Sequence, residues 1–350
     1  MQNRELGTSG ITVSAVCLGT MTFGEQTPEA DAHRIMDMAV DGGVNFFDAA
    51  ENYPVPPNAT TRGRTEEQVG NWLKARGNRA KVTIATKVIG RGAREPHIRG
   101  GVSRPDKKNI AEAIDGSLKR LQTGHIDLYQ LHFPDRSTNT FEKLGYAHDP
   151  EDKSVPFAET VAVFGELIKA GKIRAFGVSN ETPWGMLRYL RLAENDKSLP
   201  RVASIQNPYS LVNRAFDVGL AELCINENVP LLGYSPLGFG GLAGKYLDGA
   251  RPSDARLTKF QGGWVRYLWP RAQAAHKAYV ELAKKHGISP AGMALAFAVT
   301  RPFMGAVIIG ARTPAQVKEN LELIEKTKLS PEVLQGIDAI HGDNPNPVLK

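Results

Sequence analysis

The stretch DAAENYP, Asp48 to Pro54, puts a carboxylate at the end of an apolar, strand-like run and a tyrosine five residues later. Two further strand-like runs end on Lys87 and His132. Because an unpaired buried charge is costly, we expect the carboxylate of Asp48 to pair with the ammonium of Lys87. A tyrosine beside a lysine is a candidate proton donor, since a nearby cation favours the phenolate and lowers the pKa of the phenol from about 10.

Hydride addition to a carbonyl is a reaction that such a group suits, because the carbonyl oxygen must be protonated as negative charge builds up on it. We therefore predict that Tyr53 is the general acid, that Asp48 and Lys87 support it, and that His132 orients the carbonyl by a hydrogen bond. Taken singly, each of these residues is also typical of a polar side chain at a strand end that has no catalytic role. The four together, at three successive strand ends, indicate catalysis.

These residues need a scaffold that brings successive strand ends together. Short apolar runs rich in β-branched residues alternate with amphipathic helical stretches and begin at Val13, Val44, Val82, Ile126, Ile173, Val202, Pro230 and Gly305. This alternation predicts an α/β protein, a (β/α)8 TIM barrel, with an open doubly wound sheet as the alternative. The barrel is favoured because long loops follow the strands while helix-to-strand links are short, which is typical of an active site at the carboxyl-terminal strand ends.

The two ends of the chain extend this scaffold. The start, RELGTSGITVS, predicts a β-hairpin that plugs the opposite end of the barrel, and an extra helix is expected from Pro331 to His341. No linker composition divides the chain, so residues 1–350 are expected to form a single domain. Capping hydroxyls before prolines predict helix starts at Thr27, Ser289, Thr313 and Ser330. A capping box is also expected from Thr65 to Gln68 and from Thr313 to Gln316.

The amino-acid composition and the distribution of charge argue against several classes of protein. The 350 residues are 41% hydrophobic and 23% charged, as in ordinary globular proteins. The net charge of +6 comes from 43 basic and 37 acidic side chains mixed along the chain, and no basic run interleaved with aromatics predicts nucleic-acid binding. No apolar run approaches the ~18 residues that span a bilayer, so we expect a cytoplasmic protein. Cys17 and Cys224 are expected to be buried apolar side chains, with no metal site.

Motifs along the whole chain resemble the aldo-keto reductase family, in the Tas-like branch that is related to potassium-channel β subunits. They are DAAENY at Asp48, ATK at Lys87, LYQLHFPD at His132, GVSN at Asn180, SIQNPYS at Gln206, YSPLGFGGLAGKY at Tyr234 and IIGARTPAQVKEN at Gly310. The resemblance implies a (β/α)8 barrel that binds NADPH/NADP+ and a small-molecule carbonyl substrate. It also implies a catalytic tetrad of Asp48, Tyr53, Lys87 and His132, in agreement with the assignment from the residues.

The segment GFGGLA, Gly238 to Ala243, matches a dinucleotide fingerprint but does not lead directly out of a strand, so we reject that interpretation. The resemblance implies instead that its glycines form a strap over the diphosphate. After the last strand, Gly310 and Arg312 precede a capped helix whose N-terminus suits a phosphate. The guanidinium of Arg312 suits a ribose 2′-phosphate, which favours NADPH over NADH.

The resemblance implies the remaining cofactor contacts. Ser179, Asn180 and Gln206 would hold the nicotinamide carboxamide, and Tyr234 would stack on the ring, as an aromatic side chain at a strand end can. The diphosphate would contact Ser235, Leu237, Gly240 and Lys245. The adenosine end would contact Gln316 and Asn320.

Three functions stay open from the sequence. The leading one is an NADPH-dependent reductase of aldehydes or ketones, and the second is an NADPH-binding redox sensor or regulatory subunit with weak turnover. The third, a class I aldolase with Lys87 as nucleophile, is less favoured because Asp48 would hold the lysine charged. Trp264, Tyr267 and Trp269, in the loop from Gly262 to Pro270, favour an apolar or aromatic carbonyl substrate, and the oligomeric state is left open.

Overall fold

The structure, a computed structural model, describes residues 1–91, 96–101, 103–260 and 264–350. A hairpin of β1 (Asn3–Glu5) and β2 (Thr12–Ser14) precedes the barrel strands β3 (Val16–Gly19), β4 (Phe46–Asp48), β5 (Thr83–Val88), β6 (Ile126–Leu131), β7 (Ile173–Ser179), β8 (Val202–Pro208), β9 (Leu231–Tyr234) and β10 (Met304–Gly310). These eight strands are parallel, and β10 closes the barrel by pairing with β3. The predicted (β/α)8 barrel is confirmed, and the open sheet is not.

Helices surround the barrel. They are α1 (Glu29–Asp41), α2 (Arg64–Arg76), α3 (Lys107–Leu121), α4 (Phe157–Lys169), α5 (Pro183–Asn195), α6 (Leu220–Asn226), α7 (Arg256–Lys259), α8 (Pro270–Lys285), α9 (Pro290–Val299), α10 (Pro314–Lys326) and α11 (Pro331–Asp343). The connection from β9 to β10 holds three of them, α7 to α9. The expected extra helix is α11. Within the described ranges, no helix has the length and apolar character needed to cross a membrane.

The hairpin closes the amino-terminal end of the barrel, as predicted. Leu6, Ile11 and Val13 are buried and belong to the same apolar cluster as the inward-facing side chains of the barrel strands, Cys17 among them. This end is therefore filled with packed side chains, and polar groups gather at the opposite, carboxyl-terminal mouth. Cys17 and Cys224 are both buried and free, as expected.

Three of the predicted caps are confirmed. Ser289, Thr313 and Ser330 each accept a hydrogen bond from the backbone N–H three residues on, at 3.3 to 3.4 Å. The prediction for Thr27 is wrong, because α1 begins one residue after Pro28 and the Thr27 hydroxyl donates to Thr22 Oγ1 instead.

The capping box at Thr65 is also wrong. Gly63, with a left-handed φ of 84°, turns the chain into α2 two residues earlier, so Thr65 lies in the first turn. Its hydroxyl donates to the carbonyl of Phe23 at 2.7 Å and ties α2 to the loop after β3. The box at Thr313 is half formed, since Gln316 Oε1 accepts from the N–H of Arg312 rather than from that of Thr313.

Candidate active site

The ends of neighbouring strands bring a buried ion pair together. Asp48 ends β4 and Lys87 lies near the end of β5. Lys87 Nζ donates to Asp48 Oδ2 at 2.6 Å and to the carbonyl of Ala49 at 2.8 Å. Asp48 Oδ1 accepts from Gln206 Nε2 at 2.9 Å and from Gln130 Nε2 at 3.3 Å. Both charged groups are thus partnered, as the sequence predicts.

Tyr53 lies directly beside this pair. Lys87 Nζ is 4.9 Å from the centroid of the Tyr53 ring, and the ring stands edge-on to the imidazole of His132 with 5.6 Å between centroids. His132 follows β6, and its backbone N–H donates to the carbonyl of Val88 at 2.9 Å, which continues the pairing with β5. The four predicted catalytic residues therefore form one cluster.

Burial is the main cause of the pKa shifts of Tyr53 and His132 in this cluster. It raises the pKa of Tyr53 above the ordinary 10.0, although Lys87 acts in the opposite direction. The expectation that Lys87 lowers this pKa overall is wrong, because an ionised phenol is costly in a desolvated site. Burial, followed by the charge of Lys87, holds the pKa of His132 well below 6.5. Burial also disfavours charge on Lys87, but Asp48 and the other groups around the ammonium together outweigh it, so the pKa of Lys87 lies above 10.5.

A second buried ion pair, which the sequence reasoning missed, holds the loop that carries Tyr53. The carboxylate of Glu51 accepts from both terminal nitrogens of Arg99, at 2.7 and 2.8 Å. Glu51 Oε1 also accepts from the N–H of Ile89 at 2.8 Å, and the Glu51 N–H donates to the carbonyl of Lys87 at 3.2 Å. Glu51 thereby ties the Tyr53 loop to the strand of Lys87. The acidic residue within the motif DAAENY was the one sequence feature that could have indicated this ion pair.

The residues predicted to face the nicotinamide form one network at the ends of β7, β8 and β9. Tyr234 Oη donates to Asn180 Oδ1 at 2.7 Å, and Asn180 Nδ2 donates to the carbonyl of His132 at 3.0 Å. Ser179 Oγ donates to the carbonyl of Gln206 at 2.8 Å. This network connects the expected cofactor face directly to the catalytic cluster.

The link after β9 carries Ser235, Leu237, Gly240 and Lys245, all of which line one cavity. The segment Gly238–Ala243 is a kinked 3-10 helix, with Gly240 at a left-handed φ of 96°. GFGGLA is therefore not the strand-to-helix turn of a dinucleotide fingerprint, as predicted.

At the far end, Gly310, Arg312, Gln316 and Asn320 lie where β10 passes into α10. Asn320 is buried against the cavity. The guanidinium of Arg312 pairs with Asp254, Nη2 to Oδ2 at 3.1 Å, and the Asp254 side chain is 74% exposed. An exposed ion pair contributes little, so an anionic ligand can compete for Arg312.

A cavity of about 440 Å³ joins these parts. Asp48, Tyr53 and His132 line it, together with every predicted cofactor residue. Lys87 lies beneath them and is fully buried. The structure thus brings all the predicted site residues together around one cavity.

Aromatic side chains form the wall of the cavity near Tyr53. Trp264 packs on the apolar cluster that contains Tyr53, and Phe133 stacks on the imidazole of His132 at 4.2 Å. Phe141 stands edge-on to Phe133 at 5.7 Å. Trp264 was predicted by name. The loop from Phe133 to Pro156 was also expected to form part of the wall, although its two phenylalanines were not singled out.

The predictions for Tyr267 and Trp269 are wrong, because neither residue lines this cavity. The 3-10 turn of residues 265–268 directs the Tyr267 ring against Phe239, at 4.9 Å. Trp269 instead lies under the ammonium of Lys350, at 5.2 Å. Gly262, the first residue of the predicted wall, falls outside the described residues.

Arg256 is a further residue of the cavity that no sequence pattern indicated. Its guanidinium carbon lies 5.1 Å from the ring centroid of Phe239 and 5.0 Å from that of Trp264. Nε and Nη2 are buried and have no hydrogen-bond partner within the described ranges of the chain. Burial lowers the pKa of Arg256 to about 10. A buried cation without a counterion is costly, so this part of the cavity suits an anion.

Comparisons with known proteins agree with this geometry. The model of the Aldo/keto reductase family matches residues 15–341. Protein tas of Escherichia coli is 50% identical over 341 residues, covering 97% of this chain and 98% of the relative. An uncharacterized oxidoreductase of Bacillus subtilis, YrpG, is 33% identical, covering 97% and 96%.

A probable voltage-gated potassium channel subunit beta of Arabidopsis thaliana is 31% identical over 353 residues, covering 99% of this chain and 98% of the relative. Family members act on small carbonyl compounds and generally bind a nicotinamide dinucleotide. By the match over nearly its whole length, this chain is an oxidoreductase that belongs to the aldo/keto reductase family, in its Tas-like branch.

Proposed function

We propose that the protein reduces an aldehyde or ketone to the alcohol with NADPH, and that Tyr53 donates the proton. The observation that carries the proposal is the contact of Tyr53 with Lys87 and His132 at one end of a cavity that every expected cofactor residue lines. A carbonyl group that enters this end meets a phenol and an imidazole together.

The cavity fits an anionic dinucleotide. Arg256 has buried donor atoms that no described residue satisfies, and Lys245 and Arg312 add two cations to the lining of the same cavity. When bound, the reduced nicotinamide supplies the hydride. Its ring would stack on Tyr234, and its carboxamide would bind Ser179, Asn180 and Gln206. Ser235, Leu237, Gly240, Lys245 and Arg256 would hold the diphosphate. Gly310, Arg312, Gln316 and Asn320 would hold the adenosine end, with Arg312 on the 2′-phosphate.

The phenol of Tyr53 stays protonated until its proton is transferred to the carbonyl oxygen. Because burial keeps the pKa of Tyr53 above 10.0, the phenol at neutral pH is a hydrogen-bond donor to the carbonyl oxygen. As this oxygen gains negative charge it becomes a stronger base, and the proton moves to it from Tyr53 Oη. The phenolate left behind faces the ammonium of Lys87, which stabilises it, while Asp48 holds that ammonium in place.

His132 orients the substrate. Its imidazole is neutral because burial holds its pKa well below 6.5. In the part of the chain that the structure describes, no group hydrogen-bonds to the buried Nδ1, so the ring proton is better carried on Nε2, from which it can be donated to the carbonyl oxygen.

The two other candidate functions differ in support. A Schiff-base mechanism needs a neutral lysine, whereas Asp48 raises the pKa of Lys87 and the pair is buried. A redox-sensing role is favoured by the channel-subunit relatives. A sensor would complete one fast turnover of bound NADPH and then turn over slowly, so burst and steady-state rates separate the two.

The test follows NADPH absorbance with 4-nitrobenzaldehyde and methylglyoxal, for the wild type and Tyr53→Phe, and repeats it with NADH. We expect faster turnover with NADPH, and a loss of roughly 100-fold or more in kcat for Tyr53→Phe at unchanged NADPH affinity. Full activity of Tyr53→Phe would contradict the acid role. Failure to bind NADPH would contradict the cofactor assignment.

A further inference from the structure

We propose that the substrate carries a carboxylate and that Arg266 binds it, an inference that rests on the proposed function. Of the described residues that line the cavity, the lysines and arginines are Lys245, Arg256, Arg266 and Arg312. The phosphates of the dinucleotide would engage Lys245, Arg256 and Arg312. Arg266 is the remaining cation of this set, and no group of the cofactor is assigned to it.

The guanidinium of Arg266 is buried yet poorly satisfied. The residue is 4% exposed, and Nη1 donates to Glu142 Oε2 at 3.3 Å. Nε is buried, and none of the described residues hydrogen-bonds to it. The guanidinium carbon lies 5.2 Å from the ring centroid of Tyr267, which backs it from behind. A guanidinium has five donors in a planar fork, so one long bond to Glu142 leaves an edge free for a second acid.

Arg266 lies at the substrate end of the cavity. Its partner Glu142 follows Phe141, whose ring packs edge-on against Phe133, and Phe133 in turn stacks on His132. The charge of Arg266 also acts on the hydroxyl of Tyr234, the residue expected to stack on the nicotinamide.

The aromatic side chain of Trp264 also connects Arg266 to the part of the cavity beside Tyr53. Trp264 precedes Arg266 by two residues and packs on the cluster of Tyr53 and Val55. A substrate would therefore place its carbonyl at Tyr53, its apolar body between the aromatic walls and its acid group at Arg266.

A carboxylate fits this guanidinium better than a bulkier dianion does. Glu142 already occupies one side of the guanidinium with a carboxylate, and the remaining Nε edge matches the two oxygens of a planar monoanion. The inferred substrate class is an aromatic or otherwise apolar aldehyde or ketone that bears a carboxylate.

The test compares 3- and 4-carboxybenzaldehyde with their methyl esters, which keep the aldehyde and the ring but lose the charge. We expect the wild type to favour at least one acid over its ester by roughly tenfold or more in kcat/KM, mainly through KM. Arg266→Gln should abolish this preference, because KM for the acid should rise to that of its ester. Arg266→Lys should retain part of the preference.

Glu142→Gln is a second variant that leaves Arg266 in place. It removes the competing carboxylate, so we expect it to lower KM for the favoured acid severalfold and to leave the esters unaffected. Binding of benzoate to the protein loaded with NADP+, measured by calorimetry, gives a readout that needs no turnover. It should weaken roughly tenfold or more in Arg266→Gln.

Equal kcat/KM for acids and esters in the wild type, or an acid preference that survives in Arg266→Gln, would overturn this inference while leaving the reductase proposal intact. Absence of turnover with every aldehyde would count against the reductase, and the benzoate titration would still decide the role of Arg266.

Discussion

Lys87 Nζ lies 2.6 Å from Asp48 Oδ2, with 0% and 4% of the two side chains exposed. The ammonium is therefore held charged at a buried position, directly beside the ring of Tyr53. In such a site a fixed cation acts on a developing phenolate with little screening. The pair links the stability of the barrel mouth to the proposed proton transfer, and the two roles can be separated by mutation.

Asp48→Asn is expected to destabilise the protein by about 3–5 kcal/mol, because Lys87 is left as a buried charge without its counterion. The double variant Asp48→Asn/Lys87→Met removes both charges and should recover much of that stability, but not the turnover of aldehydes. Urea unfolding and steady-state rates measure the two effects. A double variant as unstable as Asp48→Asn would contradict this account of the pair.

The pH dependence of carbonyl reduction should be flat over the neutral range. The acid form of Tyr53 is the active one, and its pKa lies above 10.0, so the rate should fall only when the pH rises past about 10. His132 is already neutral, because its pKa lies well below 6.5, so no inflection is expected near that pH. Single-turnover rates of reduction from about pH 6 to about pH 10 check this. A decline between pH 7 and 8 would mean that Lys87 outweighs burial after all.

Glu51→Gln is expected to lower kcat by roughly tenfold or more with little change in the Kd for NADPH, because Glu51 positions the Tyr53 loop against the strand of Lys87. Arg99 would be left buried without its counterion, so the variant should also be less stable. Arg99→Met in the same chain should restore stability but not kcat.

Glu67→Gln, an exposed change on α2, is the matched control and should alter neither quantity. If kcat recovered along with stability in the Glu51→Gln/Arg99→Met variant, Glu51 would be a structural residue only.

Arg256→Gln and Arg312→Gln should weaken cofactor binding in different ways. Arg256 is expected to contact the diphosphate, which NADPH and NADH share, so its loss should raise both dissociation constants. Arg312 is expected to contact the 2′-phosphate, so its loss should raise the Kd for NADPH by roughly tenfold and leave that for NADH unchanged.

Fluorescence titration of the reduced cofactors measures these constants. Asp254→Asn, which releases Arg312 from its ion pair, should tighten NADPH binding slightly. An equal effect of Arg312→Gln on both cofactors would remove the structural basis for an NADPH preference.

Local patterns in the amino-acid sequence were enough to predict the barrel and the residues at its mouth. Alternating apolar runs and amphipathic stretches are local patterns, and the short links between them leave a parallel closed sheet as the favoured arrangement. Once the strand ends were known, Asp48, Lys87 and His132 had to be neighbours. The motifs around them then identified the family.

Features that depend on burial, or on partners distant in the chain, could be read only from the folded structure. Glu51 and Arg99 are 48 residues apart, and no local pattern pairs them. The direction of the pKa shift of Tyr53 follows from how deeply the loop buries the phenol, which residue types do not reveal. In the same way, the turn of residues 265–268 directs Trp264 and Arg266 to the cavity and Tyr267 away from it. The direction of a side chain in an irregular loop is set by packing rather than by a repeating period, so the sequence could not predict it.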